Sequence, residues 1–207
     1  MKKLMIVLAV LLVSFSARAQ RPTWDGGGIY VGTTDVLGDF YDMNVGRSTN
    51  FAIDVFGVKV PFVETGALEF RANVRYTYDN LFFTEKMTLT NVNGIPVPTP
   101  LLGNDIKKSK LRFHTVSLPV GFAVNAGKVS FGALFAPGYT LGVSTKYKNP
   151  KTKGSVSGYE KISYRVEGII SYDGYGVYVN YGLNPLFSEG IYGDDAHFIS
   201  FGAVLGF

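Results

Sequence analysis

The segment at residues 68–78 alternates strictly between apolar and polar side chains. Its sequence, LEFRANVRYTY, places leucine, phenylalanine, alanine, valine and tyrosine at even numbers, and glutamate, arginine, asparagine and threonine at odd numbers. Because successive side chains of a β-strand point to opposite faces, this strand has one apolar face and one charged or polar face. A similar alternation recurs about eight times along the chain, which predicts an all-β protein.

Residues 1–19 have the pattern of a cleavable secretory signal. Lys2 and Lys3 precede an apolar run at 4–13, and the segment ends in Ala17-Arg18-Ala19. The run is too short to cross a bilayer, so we expect cleavage after Ala19; a retained membrane anchor is the alternative. An exported chain of alternating strands favours a barrel that is apolar outside and polar inside. The alternative, a soluble sandwich, packs its apolar faces inward.

The remaining chain, 20–207, is expected to form one transmembrane domain, an up-and-down antiparallel β-barrel. The pattern predicts eight strands, at 28–37, 50–60, 67–79, 110–124, 128–144, 159–172, 175–184 and 196–207. Short connections at 61–66, 125–127 and 173–174 alternate with long ones at 38–49, 80–109, 145–158 and 185–195. This is typical of outer-membrane barrels, whose short turns face the periplasm. A ten-stranded barrel follows if 80–109 contributes a hairpin, unless that hairpin rises above the membrane as an extension.

The last predicted strand ends on an aromatic residue, Phe207. This ending resembles the terminal signature by which the barrel-assembly machinery recognises outer-membrane barrels for insertion, and we expect the Phe207 ring at a membrane interface. The segments GIYVG at 28–32, VSLPVGF at 116–122 and ISFGAVLGF at 199–207 resemble the small outer-membrane β-barrels common in Bacteroidetes, the porin-like or PorT-type barrels. The resemblance implies an outer-membrane location and an architecture, but no particular activity.

Charge and cysteine content exclude two classes of function. The chain has 20 basic and 16 acidic residues, which become 17 and 16 once Lys2, Lys3 and Arg18 leave with the signal. A net charge near +1 gives no basic surface for nucleic acid. The absence of cysteine excludes disulfides and thiolate chemistry. We expect neither a metal nor a cofactor.

The inward faces of the strands are expected to fill the barrel with charge. Eight strands enclose room for side chains only. Unpaired buried charges cost several kcal/mol each, and arginine pairs two carboxylate oxygens in one plane. We therefore predict an interior ion-pair network that plugs the lumen, formed by Asp54, Glu69, Arg71, Arg75, Lys161, Arg165 and Glu167. The outward positions, which are expected to meet lipid, include Phe131, Val143, Ile162 and Val166.

Two histidines raise the question of catalysis. His114 lies three residues from Ser117, and His197 lies three residues from Ser200. A separation of three places the two side chains of each pair on opposite faces of a strand, so they do not meet directly. We predict that the protein is not an enzyme, and we keep a lipid-modifying hydrolase as the third functional hypothesis.

Basic residues cluster in two segments expected to lie outside the cell. They are Lys107, Lys108, Lys110, Arg112, Lys146, Lys148, Lys151 and Lys153. Lipopolysaccharide phosphates are suitable counter-charges at that position; a solvated loop is the alternative. The leading functional hypothesis is a monomeric outer-membrane barrel with a structural or surface-interaction role, in contact with outer-membrane lipid and lipopolysaccharide. A narrow porin-like channel for small solutes is the alternative.

Overall fold

The computed structural model describes residues 23–25, 27–63, 65–102, 108–148, 152–188 and 195–207. The predicted signal at 1–19 lies outside the described residues, as do Lys107 and Lys151. No helix in the described part of the chain is long and apolar enough to cross a membrane.

The described residues form thirteen β-strands. They are β1 (Thr23–Asp25), β2 (Ile29–Leu37), β3 (Thr49–Pro61), β4 (Leu68–Phe82), β5 (Met87–Val92), β6 (Ile95–Pro100), β7 (Lys108–Ser117), β8 (Val120–Ala126), β9 (Val129–Lys148), β10 (Thr152–Ser155), β11 (Ile162–Tyr172), β12 (Tyr175–Gly182) and β13 (His197–Leu205).

Antiparallel pairing closes these strands into a barrel with eight wall positions. The ring runs β2, β3, β4, β7 with β8, β9, β11, β12 and β13. Strands β7 and β8 share one wall position because both pair with β4 on one side and with β9 on the other. They are counted as two strands because the regular pairing is interrupted between them, at Leu118 and Pro119. β13 closes the ring on β2, from Leu205 opposite Ile29 to His197 opposite Leu37. The predicted eight-stranded up-and-down barrel is confirmed.

The other strands lie outside this ring. β5 and β6 form a separate two-stranded hairpin, β10 pairs with β9 beyond the end of the β9–β11 ladder, and β1 pairs with β3 beyond the end of the β2–β3 ladder. The connection after β4 therefore carries an extension and adds no wall strands, so the ten-stranded alternative is not adopted. The short connections lie together at one end of the barrel, the short-turn end, and the long ones at the other, the long-loop end. Asp173 and Gly174 both have positive φ, as a two-residue hairpin turn requires.

The wall presents apolar side chains outward. Phe131, Ile162 and Val177 are 50%, 51% and 61% exposed, while Gly132 and Tyr178, which follow two of them in sequence, are buried. The prediction for Val143 is wrong, because its side chain is buried in the interior. A bulge in the β7–β9 ladder leaves Leu141 without a partner there, so the alternation of β9 shifts by one residue before Val143.

Side chains fill the barrel interior in layers. At the long-loop end lies an apolar cluster that includes Leu81, Leu111, Phe113, Leu186, Phe187 and Phe198. Towards the short-turn end lies a second cluster, made of Tyr30, Ala52, Ala123, Leu134, Ile169, Tyr178, Val204 and Phe207. The buried charged residues of the lumen occupy the space alongside and between these two clusters.

Candidate functional site

The lumen is bridged by the Arg75 side chain of β4. Its Nε and Nη2 atoms donate to the two carboxylate oxygens of Asp54 on β3, at 2.5 and 3.1 Å, and its Nη1 donates to Oε2 of Glu167 on β11, at 2.6 Å. β11 stands three positions round the ring from β4. All three side chains are buried. The planar guanidinium therefore joins opposite walls, using the two-oxygen geometry that arginine favours.

Neutral groups satisfy much of the remaining hydrogen-bonding capacity around Arg75. The Tyr30 ring lies 3.8 Å from the Arg75 guanidinium carbon, and its hydroxyl donates to Asp54 at 3.3 Å. Asn73 Nδ2 donates to Asp54 at 2.9 Å, and Asn180 Nδ2 donates to Glu167 at 3.3 Å. Buried charge is tolerated when such partners are present.

A second ion pair crosses the lumen nearer the long-loop end. Arg165 of β11 donates from Nη2 to Oδ2 of Asp79 on β4, at 2.9 Å. Asn50 Nδ2 donates to Oδ1 of Asp79 at 2.5 Å, and the Tyr178 hydroxyl donates to Oδ1 of Asn50 at 2.5 Å. The predicted network omits Asp79, although Asp79 continues the odd-numbered polar face of the same strand. It also omits Tyr30, Asn50 and Tyr178.

The third interior pair, Arg71 with Glu69, lies near the short-turn end. Both residues are on β4 and are buried. The guanidinium carbon of Arg71 lies 3.8 Å from the centre of the Phe207 ring. The expected interface position of Phe207 is wrong, because the ring is only 7% exposed and lies inside the barrel. Gly206 adopts φ 86°, which ends the strand and turns the next side chain inward.

The Phe207 ring occupies space left by a glycine on the facing wall. A Cβ atom placed on Gly132 would overlap the Phe207 ring, whereas a Cβ on Gly142 of the same strand meets nothing within 4 Å. We expect Gly132→Ala to lower the free energy of unfolding by about 1–3 kcal/mol through overpacking, and Gly142→Ala to have a far smaller effect. Urea unfolding followed by gel mobility measures both. The cost of Gly132→Ala should shrink in the background of Phe207→Ala; an equal cost in both backgrounds would contradict the packing.

The prediction for Lys161 is wrong. It is exposed and precedes the first residue of β11, at the long-loop end of the wall. Its carbonyl oxygen accepts from the backbone N–H of Thr140 at 2.7 Å. The alternation that begins at Ile162 does not extend back through Lys161, so this residue does not take an inward position. The other six predicted members, Asp54, Glu69, Arg71, Arg75, Arg165 and Glu167, are buried in the lumen.

Both histidines lie on the outer surface near the long-loop end. His114 Nδ1 and the Tyr76 hydroxyl are 2.7 Å apart, and His197 Nδ1 donates to the carbonyl of Gly182 at 3.0 Å. Ser117 and Ser200 are buried on the inward face. Each His–Ser pair is therefore divided by the wall. Within the described residues, no group of three or more His, Cys, Asp and Glu side chains is placed to hold a metal ion.

The described members of the predicted basic cluster are on one outer surface. Lys108, Lys110 and Arg112 belong to β7, Lys146 and Lys148 to β9, and Lys153 to β10. They occupy alternate positions, in register across the three strands. The sequence pattern places them in two separate segments, whereas the strand pairing brings the six described residues together on one surface.

These observations define a class: a closed, eight-stranded antiparallel β-barrel with a charged, bridged lumen and an apolar outer wall. No family model matches the sequence, and no curated protein matches it. Among solved structures, the crystal structure of Ail, the attachment invasion locus protein of Yersinia pestis, is similar. The identity is 12%, the match covers 89% of this chain and 97% of that chain, and the TM-score is 0.40. The strand pairing described above, and not this similarity, establishes the fold.

Proposed function

We propose that this protein is an outer-membrane β-barrel with a plugged lumen, which acts as a structural anchor for an extracellular sheet. The outer wall supports the location. Side chains such as Val166, Ile170, Val179 and Phe201 are 40–53% exposed, and this apolar surface is suited to lipid acyl chains. A closed barrel leaves no unpaired strand edge, as a hydrocarbon environment requires.

The main observation in favour of a plugged lumen is the pair of ion bridges between β4 and β11. Arg75 with Glu167 and Asp79 with Arg165 join facing walls at two heights. A solute crossing the barrel would have to separate both pairs. The apolar cluster around Leu111, Phe113 and Phe198 adds a second obstruction at the long-loop end. On this proposal the charged interior is a structural element, and the protein is not an enzyme.

The long-loop end supports a role at the cell surface. Met87 and Leu89 of the β5–β6 hairpin belong to the apolar cluster at this end. Asn91 connects the hairpin to the end of β10 and the chain just after it, since its Nδ2 donates to the Ser155 carbonyl at 2.8 Å and its Oδ1 accepts from the Ser157 N–H at 2.9 Å. A fixed hairpin offers a preformed surface to a partner at lower entropic cost than a free loop.

Planar-bilayer recording tests the plugged lumen. The purified barrel should insert without giving a steady channel, because the ion pairs and the apolar cluster fill the pore. Unboiled samples should migrate differently from boiled samples on a gel, which establishes that the inserted protein is folded. A steady conductance of nanosiemens scale from the folded form would favour the porin-like alternative.

The oligomeric state, the route of insertion and the family resemblance belong to the same proposal. The chain inserts as a monomer through the barrel-assembly machinery, and the PorT-type resemblance of its sequence stays a prediction. Separation of inner and outer membranes by density tests the location: the protein should co-fractionate with outer-membrane lipopolysaccharide. Recovery in the inner membrane or in the soluble fraction would contradict it.

A further inference from the structure

Six cations form one outward face of the wall, which we call the basic face: Lys108, Lys110, Arg112, Lys146, Lys148 and Lys153. The register places Lys110, Lys146 and Lys153 in one row across β7, β9 and β10, and Lys108 opposite Lys148 in the next row. Directly opposite side chains on an antiparallel pair lie about 5 Å apart at Cβ. The face is therefore dense in positive charge.

The basic face begins where the apolar wall ends. Along β7 the outward side chains run from Val116 through His114 and Arg112 to Lys110. Along β9 the last apolar outward residue is Leu141, and Ser144 and Lys146 follow. Lys110 lies six residues beyond Val116, about 20 Å along the strand at about 3.3 Å per residue. These cations consequently lie at and above the boundary of the apolar belt, on the side of the long loops.

Aromatic and histidine rings mark that boundary. His114 lies between Tyr76, whose hydroxyl is 2.7 Å from its Nδ1, and Tyr78, whose ring centre is 4.9 Å away. Aromatic side chains of this type are favoured at the junction of acyl chains and headgroups. The cations immediately above them are therefore at the height of lipid headgroups.

The carboxylates of the described residues do not neutralise this charge. Within the described residues, no carboxylate lies within 4.0 Å of any cation of the basic face, although five other ion pairs form. Lys110 donates to the neutral Oδ1 of Asn80 at 2.9 Å and lies over the Phe82 ring, while Nε of Arg112 is buried without a hydrogen-bond partner. Like charges directly opposite one another destabilise a sheet, so an anion bound across the rows would relieve repulsion.

We infer that the basic face binds the phosphate groups of a phosphorylated glycolipid of the outer leaflet, the chemistry of the lipid A part of lipopolysaccharide. Charge complementarity and headgroup height both favour this occupant. The phosphates lie across the Lys110, Lys146 and Lys153 row while the acyl chains cover the apolar wall below. The inference deepens the proposed function, because it requires an outer-membrane barrel and gives that barrel a lipid partner.

Lipid binding to the folded barrel in detergent, followed by native mass spectrometry, tests the inference. The probe is bisphosphorylated lipid A. The double variant Lys146→Gln with Lys153→Gln should weaken binding about tenfold, since each cation near a charged headgroup layer contributes modestly. The matched control, Lys128→Gln with Lys161→Gln, makes the same charge change at two exposed positions outside the basic face and should remain within about twofold of the parent protein.

A second arm separates phosphate recognition from recognition of the acyl chains. Lipid A stripped of its phosphates should bind the parent protein about as weakly as intact lipid A binds the Lys146→Gln, Lys153→Gln variant. Equal binding of the two lipids by the parent protein would overturn the inference, as would equal binding of intact lipid A by the test and control variants. Gel mobility and bilayer recording on the same variants test the barrel proposal separately, so a failure of lipid binding is distinguished from a failure of the barrel to form.

Discussion

Replacing Arg75 with methionine should lower the free energy of unfolding by about 3–5 kcal/mol, because the change strands two buried carboxylates. Asp54 would lose both of its guanidinium contacts, and Glu167 would lose its cross-lumen partner. Methionine retains much of the side-chain volume, so the loss is one of charge pairing. Urea titration of the barrel in lipid vesicles, followed by gel mobility of unboiled samples, measures the shift.

Two further variants determine whether pairing is the cause. Lys128→Met breaks an ion pair with Asp173 whose side chains are 62% and 60% exposed, and should cost about 0–1 kcal/mol. Adding Asp54→Asn and Glu167→Gln to Arg75→Met removes the stranded charges and should restore most of the lost stability. If Arg75→Met proved no more costly than Lys128→Met, the central bridge would not contribute as described.

A positive charge in the middle of the outer wall should be almost as harmful. Val166 is an outward residue near the centre of β11 and is 40% exposed. In a bilayer, Val166→Lys should cost about 2–4 kcal/mol, the range for a basic side chain at the membrane midplane of a barrel. Unfolding of the variant from vesicles by urea gives the value.

The matched control lies at the end of the same strand. Tyr172 is outward and 61% exposed at the short-turn end, where an interface is expected, so Tyr172→Lys should cost about 0–1 kcal/mol. The proposal predicts a clear difference between the two positions. Equal and small costs would mean that Val166 does not face hydrocarbon.

Strand number and strand faces were predictable because the side-chain period of a strand is two and the outer wall is continuously apolar. The strand predicted at 128–144 corresponds to β9, Val129–Lys148, and the one predicted at 175–184 corresponds to β12, Tyr175–Gly182. The interior positions of Arg71 and Arg75 follow from the same alternation. A single strand with an uninterrupted period therefore contains enough information to assign its own faces.

The errors arise where that period is interrupted. A bulge at Val55 of β3 and another at Leu141 of β9 each shift the alternation of their strand by one residue, and the sequence alone gives no sign of either bulge. The bulge on the β7–β9 pair turns Val143 inward, and the positive φ of Gly206 turns Phe207 inward. The prediction for Lys161 fails because the alternation of β11 begins at Ile162 and does not include the residue before it.

The partners within the lumen could not be predicted at all from one sequence. Arg75 meets Glu167 across 92 residues of chain, and Tyr178 meets Asn50 across 128. These contacts depend on the stagger of the closed ring, which is fixed by every strand pair together. The two basic segments are visible in the sequence, but their union into one face depends on the pairing of β9 with both β7 and β10.

The most direct test of the inside-out wall is a cysteine scan of β11 in lipid vesicles, which the cysteine-free sequence makes simple. Each position from Ile162 to Tyr172 is replaced singly by cysteine and labelled with a fluorophore, and quenching by a nitroxide on the lipid acyl chain is measured. The proposal predicts strong quenching at even positions such as Val166 and Ile170 and weak quenching at odd positions such as Arg165 and Glu167. Uniform quenching, or quenching strongest at the odd positions, would contradict it.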